Sequence, residues 1–140
     1  MSTVSDYIKC DKCGGIMHTD FNCHTFEEYS LCFRCGKYMS YTFKYDRHGN
    51  VKKDKNNRPI YENKSLPGYG CIALTFKNGI GQIAALDKPL SKTLKRHFLR
   101  EIEINPDVNK EESYLTYWDD KEKQVKVFYG KMPEKYDDML

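Results

Sequence analysis

The feature that most constrains this chain is a pair of Cys-x-x-Cys motifs at residues 10–13 and 32–35. Each motif is followed at once by glycine, and eighteen residues separate the two. A Cys-x-x-Cys turn brings two sulfur atoms about 3.5–4 Å apart, which suits one edge of a ligand tetrahedron. Glycine after the second cysteine suits a left-handed backbone position, from which N–H groups reach the sulfurs. The spacing therefore predicts two equivalent metal-binding turns.

Zinc is the metal that this ligand set predicts, because four thiolates in a tetrahedron form its usual structural site. We expect a Zn2+ cofactor on Cys10, Cys13, Cys32 and Cys35. Two disulfides, a redox dithiol and an iron–sulfur cluster are the alternatives. Residues 1–9 contain no apolar segment of a signal peptide. We therefore expect a cytoplasmic location, where reducing conditions favour bound metal over disulfides.

Cys23 and His24 lie between the two motifs and leave a competing ligand set open. Either side chain could replace one cysteine, although both lie in the predicted hairpin and outside a metal-binding turn. His24, Glu27 and the second cysteine pair superficially resemble a zinc deaminase signature. That signature requires His-x-Glu and a proline, whereas this chain has His-x-x-Glu and no proline there. We therefore exclude a deaminase.

Residues 10–37 resemble a zinc ribbon, which is a hairpin-based module with one metal-binding turn at each end. Segments 8–14 and 31–37 are most similar to the zinc ribbons of bacteriophage-type DNA primases. The resemblance covers about a fifth of the chain. It implies a ribbon fold, bound zinc and contact with nucleic acid. A much larger polymerase domain follows the ribbon in those primases. We expect no primase activity here, because the chain is too short for that domain and has no acidic metal motif.

Charge is distributed unevenly along the chain, although the net charge is only +3. Residues 1–43 carry a net charge of −1, residues 44–100 one of +9, and residues 101–140 one of −5. A basic middle section indicates an anionic partner such as DNA or RNA. We expect phosphate contacts from nine residues: Arg34, Lys37, Lys52, Lys53, Arg58, Lys92, Lys95, Arg96 and Arg100.

Some of these basic residues also have a purely structural interpretation. Arg34 and Lys37, together with Lys12, lie in or beside the metal-binding turns, where they would offset the negative charge of a zinc tetrathiolate. The basic stretch 51–69 is either a phosphate-contacting arm or a solvated loop. Both interpretations stay open at this point.

An alternating strand over residues 37–45 carries an aromatic face. That face is either part of the core or a platform on which nucleic-acid bases stack. Tyr41 and Phe33 are the candidates for stacking.

The rest of the pattern predicts an α+β fold, in which an N-terminal four-cysteine zinc ribbon joins a small antiparallel sheet with one amphipathic helix. We expect the ribbon over residues 1–45, a basic loop or linker over 46–69, and the α+β domain over 70–140. A Lys-Asn-Gly turn near residue 78 predicts the first hairpin of that domain. Four residues at helical spacing predict the buried stripe of the helix: Leu90, Leu94, Phe98 and Ile102.

Together these features predict a small accessory or regulatory protein that binds nucleic acid and is not an enzyme. Four cysteines around one zinc leave no open coordination position for catalysis. A phage-type adaptor or inhibitor that binds a host protein is the alternative, with the aromatic hairpins and the acidic tail as its contacts. A pocket with convergent polar groups would instead favour an enzyme. No apolar run approaches the roughly 20 residues that span a bilayer, so we expect no membrane contact.

Overall fold

The computed structural model describes residues 3–135, which form two antiparallel sheets and one helix. The first sheet contains five strands in chain order: β1 Thr3–Lys9, β2 Ile16–Asn22, β3 Glu28–Cys32, β4 Lys37–Phe43 and β5 Tyr61–Pro67. The second sheet has the order β7-β6-β8-β9, with β6 Cys71–Thr75, β7 Gly81–Ala85, β8 Tyr114–Asp119 and β9 Gln124–Tyr129. The helix α1 is Lys92–Ile104. The expected combination of antiparallel strands with one helix is confirmed.

Two strands of the first sheet lie where the sequence predicts none. β1 occupies the N-terminal segment, and β5 occupies part of the expected loop over residues 46–69, so the prediction of a loop there has to be corrected. The sequence of β5 is largely polar, and it lies at the edge of the sheet, where most of its side chains are not buried. It pairs with β4 from Lys37↔Pro67 to Phe43↔Tyr61. Residues 61–67 therefore form a strand because their backbone hydrogen bonds to β4, and the side-chain pattern of this segment does not indicate a strand.

Two tight turns make up most of the connection from β4 to β5. Asp46 Oδ1 accepts hydrogen bonds from two backbone N–H groups of the first turn, and Asp54 Oδ1 does the same in the second. Lys44 N donates to Ile60 O, and Lys52 N donates to Lys44 O. These bonds hold both turns at the end of the sheet where β4 and β5 meet. The basic segment is therefore ordered by Asp-based turns.

The helix α1 packs on the second sheet through its apolar stripe. Phe98 and Ile102 are buried in a core with Leu86, Val108 and Leu115. Ser91 caps the helix, because its side chain accepts a hydrogen bond from Leu94 N at 3.1 Å. Of the predicted stripe, Phe98 and Ile102 are buried and Leu94 is partly buried against the same core. Leu90 also packs there, but it precedes the helix, which begins at Lys92. No helix within residues 3–135 has the length and apolar character that crossing a bilayer requires.

The two sheets meet at the second metal-binding turn. The Tyr114 hydroxyl donates to Phe33 O at 2.7 Å, and the Thr116 hydroxyl donates to Arg34 O. Thr116 is fully buried, and its Oγ1 also accepts from Cys71 N at 2.9 Å. Burial raises the pKa of Tyr114, so its phenol stays protonated and can donate. Two side chains of β8 thus satisfy buried backbone groups of the turn and of β6.

We expect Gly36→Ala to destabilise the protein far more than Gly49→Ala. Both glycines have positive φ, +75° and +82°, so both substitutions carry a left-handed strain of about 1–2 kcal/mol. A Cβ at Gly36 would overlap the backbone oxygen of Gly70, whereas nothing lies within 4 Å of one at Gly49. Overpacking adds about 1–3 kcal/mol at Gly36 alone. Urea unfolding of both variants measures the difference, and equal losses would contradict this packing of the two sheets.

Candidate metal centre

The two metal-binding turns share one backbone conformation. Gly14 N donates to Cys10 O at 2.9 Å, and Gly36 N donates to Cys32 O at 3.0 Å. Both glycines have φ of +75°, in the left-handed region that glycine adopts without a Cβ clash. The prediction of two equivalent turns is confirmed.

Each turn also directs a backbone N–H group at a sulfur atom. Gly15 N lies 3.3 Å from Cys13 Sγ, and Lys37 N lies 3.4 Å from Cys35 Sγ. Such N–H···S contacts disperse negative charge on a thiolate and orient it. The turns are therefore built to hold anionic sulfur.

The four sulfur atoms of Cys10, Cys13, Cys32 and Cys35 converge on one point. All lie within 4.8 Å of one another. Cys10 Sγ lies 3.7 Å from Cys35 Sγ, and Cys13 Sγ lies 3.5 Å from Cys32 Sγ. Zn–S bonds of about 2.3 Å give a tetrahedron with edges of about 3.8 Å, whereas a disulfide needs about 2.05 Å. The cluster therefore suits a metal ion, and its all-thiol donor set suits zinc best.

Four thiols this close cannot all ionise without a cation. The pKa of Cys10 is held far below its usual value, chiefly by the hydrogen bond from the Cys13 thiol. The pKa of Cys35 is raised far above its usual value, chiefly by its hydrogen bond to Cys10, and burial adds to this. The four sulfurs therefore hold their protons unevenly, and Cys10 loses its proton most readily. A divalent cation would replace those protons and balance the charge.

The second sheet covers the cluster of sulfurs. Trp118 on β8 and Val125 on β9 pack against the buried cysteines and Met17. Lys12 Nζ lies 4.2 Å from the centroid of the Trp118 ring and donates to Pro67 O and Gly68 O. Lys12 therefore ties the first turn to β5 and β8, a role that its position in the sequence does not reveal. The closed surroundings favour a structural site over a catalytic one.

The competing ligands lie outside the cluster. Within residues 3–135 the convergent group contains only the four paired cysteines. Cys23 is exposed in the turn between β2 and β3, where His24 N donates to Asn22 Oδ1. Cys71 is buried in the second sheet, and burial raises the pKa of its thiol to about 12. It is therefore a small core residue, as expected for a lone buried cysteine.

Two of the nine expected phosphate contacts are engaged beside the metal centre. Arg34 is only 9 % exposed, and its Nη1 donates to Pro133 O at 3.3 Å. It also lies against Gly15, where an added Cβ would overlap the Arg34 side chain. Arg34 is therefore a buried residue held by the backbone, and the prediction that it contacts phosphate is corrected. Lys37 Nζ pairs with Asp11, and this hydrogen bond raises the pKa of Lys37. Both side chains fit the interpretation of charge compensation.

The other seven basic residues form two separate groups. Lys52, Lys53 and Arg58 are exposed in the turns between β4 and β5, and the rest lie on α1: Lys92, Lys95, Arg96 and Arg100. Within residues 3–135 none of the seven forms an ion pair. Lys95 is partly buried, and its Nζ lies 5.3 Å from the centroid of the Phe128 ring. The remaining six present their charges to solvent.

The two aromatic candidates have different surroundings. Tyr41 stacks on Tyr61 with 4.4 Å between ring centroids and remains 39 % exposed. The Phe33 ring instead stacks at 5.9 Å on the His18 ring, which contacts Tyr7 as well. Tyr41 is therefore the better surface for a further ring.

No family model, curated protein or solved structure matches this chain. Its interpretation therefore depends on its own residues, and no match supports the expected similarity of residues 10–37 to primase ribbons.

We expect Cys32→Ser to abolish tight metal binding and Cys23→Ser to leave it unchanged. Serine replaces a thiolate ligand with a hydroxyl in the first variant, and it replaces an exposed thiol outside the cluster in the second. Metal analysis after gel filtration should give one zinc per chain for wild type and Cys23→Ser. The fluorescence of Trp118, the single tryptophan, should change on chelation in these two proteins. Zinc retained at full stoichiometry by Cys32→Ser would contradict this site.

Proposed function

We propose that this chain is a non-enzymatic, nucleic-acid-binding accessory protein. A zinc ion held by the four-cysteine cluster serves a structural role, and the basic face of α1 contacts phosphates. The observation that carries the proposal is the arrangement of charge on this helix.

Charge on α1 is arranged against the stability of the helix. Lys92, Arg96 and Arg100 recur every four residues, and all three are exposed. Like charges at this spacing destabilise a helix by about 0.2–0.5 kcal/mol per pair. The first turn contains no acidic residue and the last turn no basic one. The macrodipole favours the opposite placement of charge. We infer that these cations serve to bind an anionic partner.

The rest of the helix supports this interpretation. Residues 88–100, which begin before α1, contain five basic residues and no acidic one, and the two acidic residues of the helix, Glu101 and Glu103, lie in its last turn. Its opposite face is fixed to the second sheet by Phe98 and Ile102, so the basic stripe is held rigidly toward solvent. Nucleic acid is an anion that presents charges in a regular series, and each neutralised phosphate releases counterions.

The metal centre would contribute stability and position in this proposal. All four thiols serve as ligands, which leaves a tetrahedral zinc without an open position for substrate. The centre joins the two sheets through Trp118 and the bonds of β8 to the second turn. We therefore assign binding to the protein surface and no reaction to the metal.

We expect reversal of Lys92 and Arg96 to glutamate to weaken binding to nucleic acid and to flatten its salt dependence. Loss of two phosphate contacts should reduce the slope of log K against log salt by about 1.4–1.8. Fluorescence anisotropy with a labelled oligonucleotide, titrated with NaCl, measures both effects. The matched control reverses Lys110 and Lys121, which are exposed outside α1. Equal effects of the two reversals would contradict a role for the helix. Absence of binding at low salt would favour the protein-binding alternative.

Lys92→Glu alone should stabilise the fold while it weakens binding. An acidic side chain in the first turn of a helix contributes about 0.3–1 kcal/mol through the macrodipole. Thermal unfolding at low ionic strength measures the gain, and the same sample gives the affinity for the oligonucleotide. A loss of both stability and affinity would indicate that Lys92 is a structural residue.

A further inference from the structure

A groove of about 760 Å³ crosses one face of the first sheet. The register of the strands places one transverse row of side chains along it: Val4, Phe21, Glu28, Tyr41 and Asn63. Its volume lies in the range of small-ligand pockets. Each member of the row comes from a different strand, so only the pairing of the five strands brings these residues together.

Two aromatic residues flank a carboxylate in this row. Phe21 on β2 and Tyr41 on β4 are the neighbours of Glu28 on β3. Neighbouring strands lie about 4.8 Å apart, so the Cα atoms of Phe21 and Tyr41, two strands apart, are separated by roughly 10 Å. Rings pack at centroid distances of about 4.5–7 Å, which leaves room for one planar ring between them.

Tyr41 is held in place as a stacking surface. Tyr61 covers one face of its ring at 4.4 Å, with only 10° between the ring planes. Phe43 stacks on Tyr61 at 4.7 Å and extends the stack away from the groove residues. Tyr41 nevertheless keeps 39 % of its surface exposed where it lines the groove. A ring fixed in this way loses little conformational entropy when a ligand stacks on it.

Glu28 provides the polar feature of the site. Its carboxylate has no hydrogen-bond or ion-pair partner among residues 3–135, so both oxygens are available to a ligand. The neighbouring hydroxyls of Thr19 and Ser30 hydrogen bond to each other at 3.1 Å, and Oδ1 of Asp6 accepts a hydrogen bond from Tyr7 N, so Glu28 is the carboxylate of the row that faces a ligand between the two rings. A carboxylate between aromatic rings suits a planar heterocycle that carries an amino group. The N4 amino group of cytosine is such a donor to Glu or Asp.

Positive charge lies at the end of the groove nearest β5. The turns with Lys52, Lys53 and Arg58 begin just beyond the pair Phe43↔Tyr61. Lys64 borders the groove, but it alternates with Asn63, so its side chain lies on the opposite face of β5. Asp6 and Glu28 within the groove would repel a phosphate. A nucleotide would therefore insert its base and leave its phosphate on the β5 side.

We propose that this groove binds one base of a single-stranded nucleic acid, stacked between Phe21 and Tyr41 with its amino group on Glu28. The inference rests on the proposed function, because basic residues hold the phosphates of the same strand. Cytosine is preferred to thymine, since thymine carries a carbonyl where cytosine carries the amino group.

The test compares oligo(dC) with oligo(dT), each about 10 nucleotides long, a length within the usual range of single-strand sites. Wild type should bind oligo(dC) more tightly, and Glu28→Gln should remove most of that preference. Tyr41→Leu keeps an apolar side chain beside Tyr61 but removes the ring, and it should weaken both affinities about tenfold. Tyr29→Leu is the matched control, because Tyr29 is 42 % exposed and alternates with Glu28 to the opposite face of β3. The Tyr29→Leu variant should bind both oligonucleotides with the affinity of wild type.

The outcomes separate the groove from the proposed function. Salt-dependent binding whose affinity is unchanged by Tyr41→Leu would overturn the groove site and leave the role of the basic surface intact. The same conclusion would follow if Tyr29→Leu weakened binding as much as Tyr41→Leu. Equal affinity for oligo(dC) and oligo(dT) would overturn the role of Glu28. Displacement of oligo(dC) by an equal concentration of free cytidine monophosphate would identify a nucleotide site and overturn the single-strand proposal. Failure of wild type to bind either oligonucleotide at low salt would overturn the proposed function itself.

Discussion

The second metal-binding turn is the joint on which both sheets depend. Its cysteines complete the cluster of four sulfurs, and its backbone carbonyls accept hydrogen bonds from Tyr114 and Thr116 of the second sheet. Thr116 also bonds the backbone of β6, so one hydroxyl connects the turn to two strands. A metal that fixes this turn therefore fixes more than a local hairpin. It sets the position of the surface on which Trp118 and Val125 pack.

This joint explains how a chain with little apolar material supports two sheets. Most side chains of β1 and β5 are exposed, and these edge strands contribute chiefly backbone pairing. The compact core lies under α1, while the first sheet depends on the sulfur cluster for its buried centre. The first sheet is thereby free to present a groove on one face. In the proposed function, the groove and the basic stripe of α1 would be two distinct surfaces for one nucleic-acid partner.

Local sequence signals predicted the parts of the molecule that local physics determines. The cysteine turns, the hairpin at Asn78 and the stripe of α1 each depend on residues close together in the chain, and all three are present. The sequence did not predict β5, because pairing with β4 and not side-chain burial makes it a strand. The sequence did not predict the burial of Arg34, because the residues that contact its side chain, Gly15 and Pro133, are distant in sequence. The pairing of Phe21 and Tyr41 around Glu28 likewise requires the register of three strands.

Amide hydrogen exchange with and without a zinc chelator tests the central claim most directly. The amide of Cys71 reports on the second sheet, because it donates to the buried Thr116 hydroxyl at the joint. If the metal holds the joint, chelation should accelerate exchange at Cys71 together with the amides of β2 and β3. If chelation accelerated exchange only in the first sheet and left the exchange rate of the Cys71 amide unchanged, the second sheet would be stable without the metal centre. That result would contradict this account.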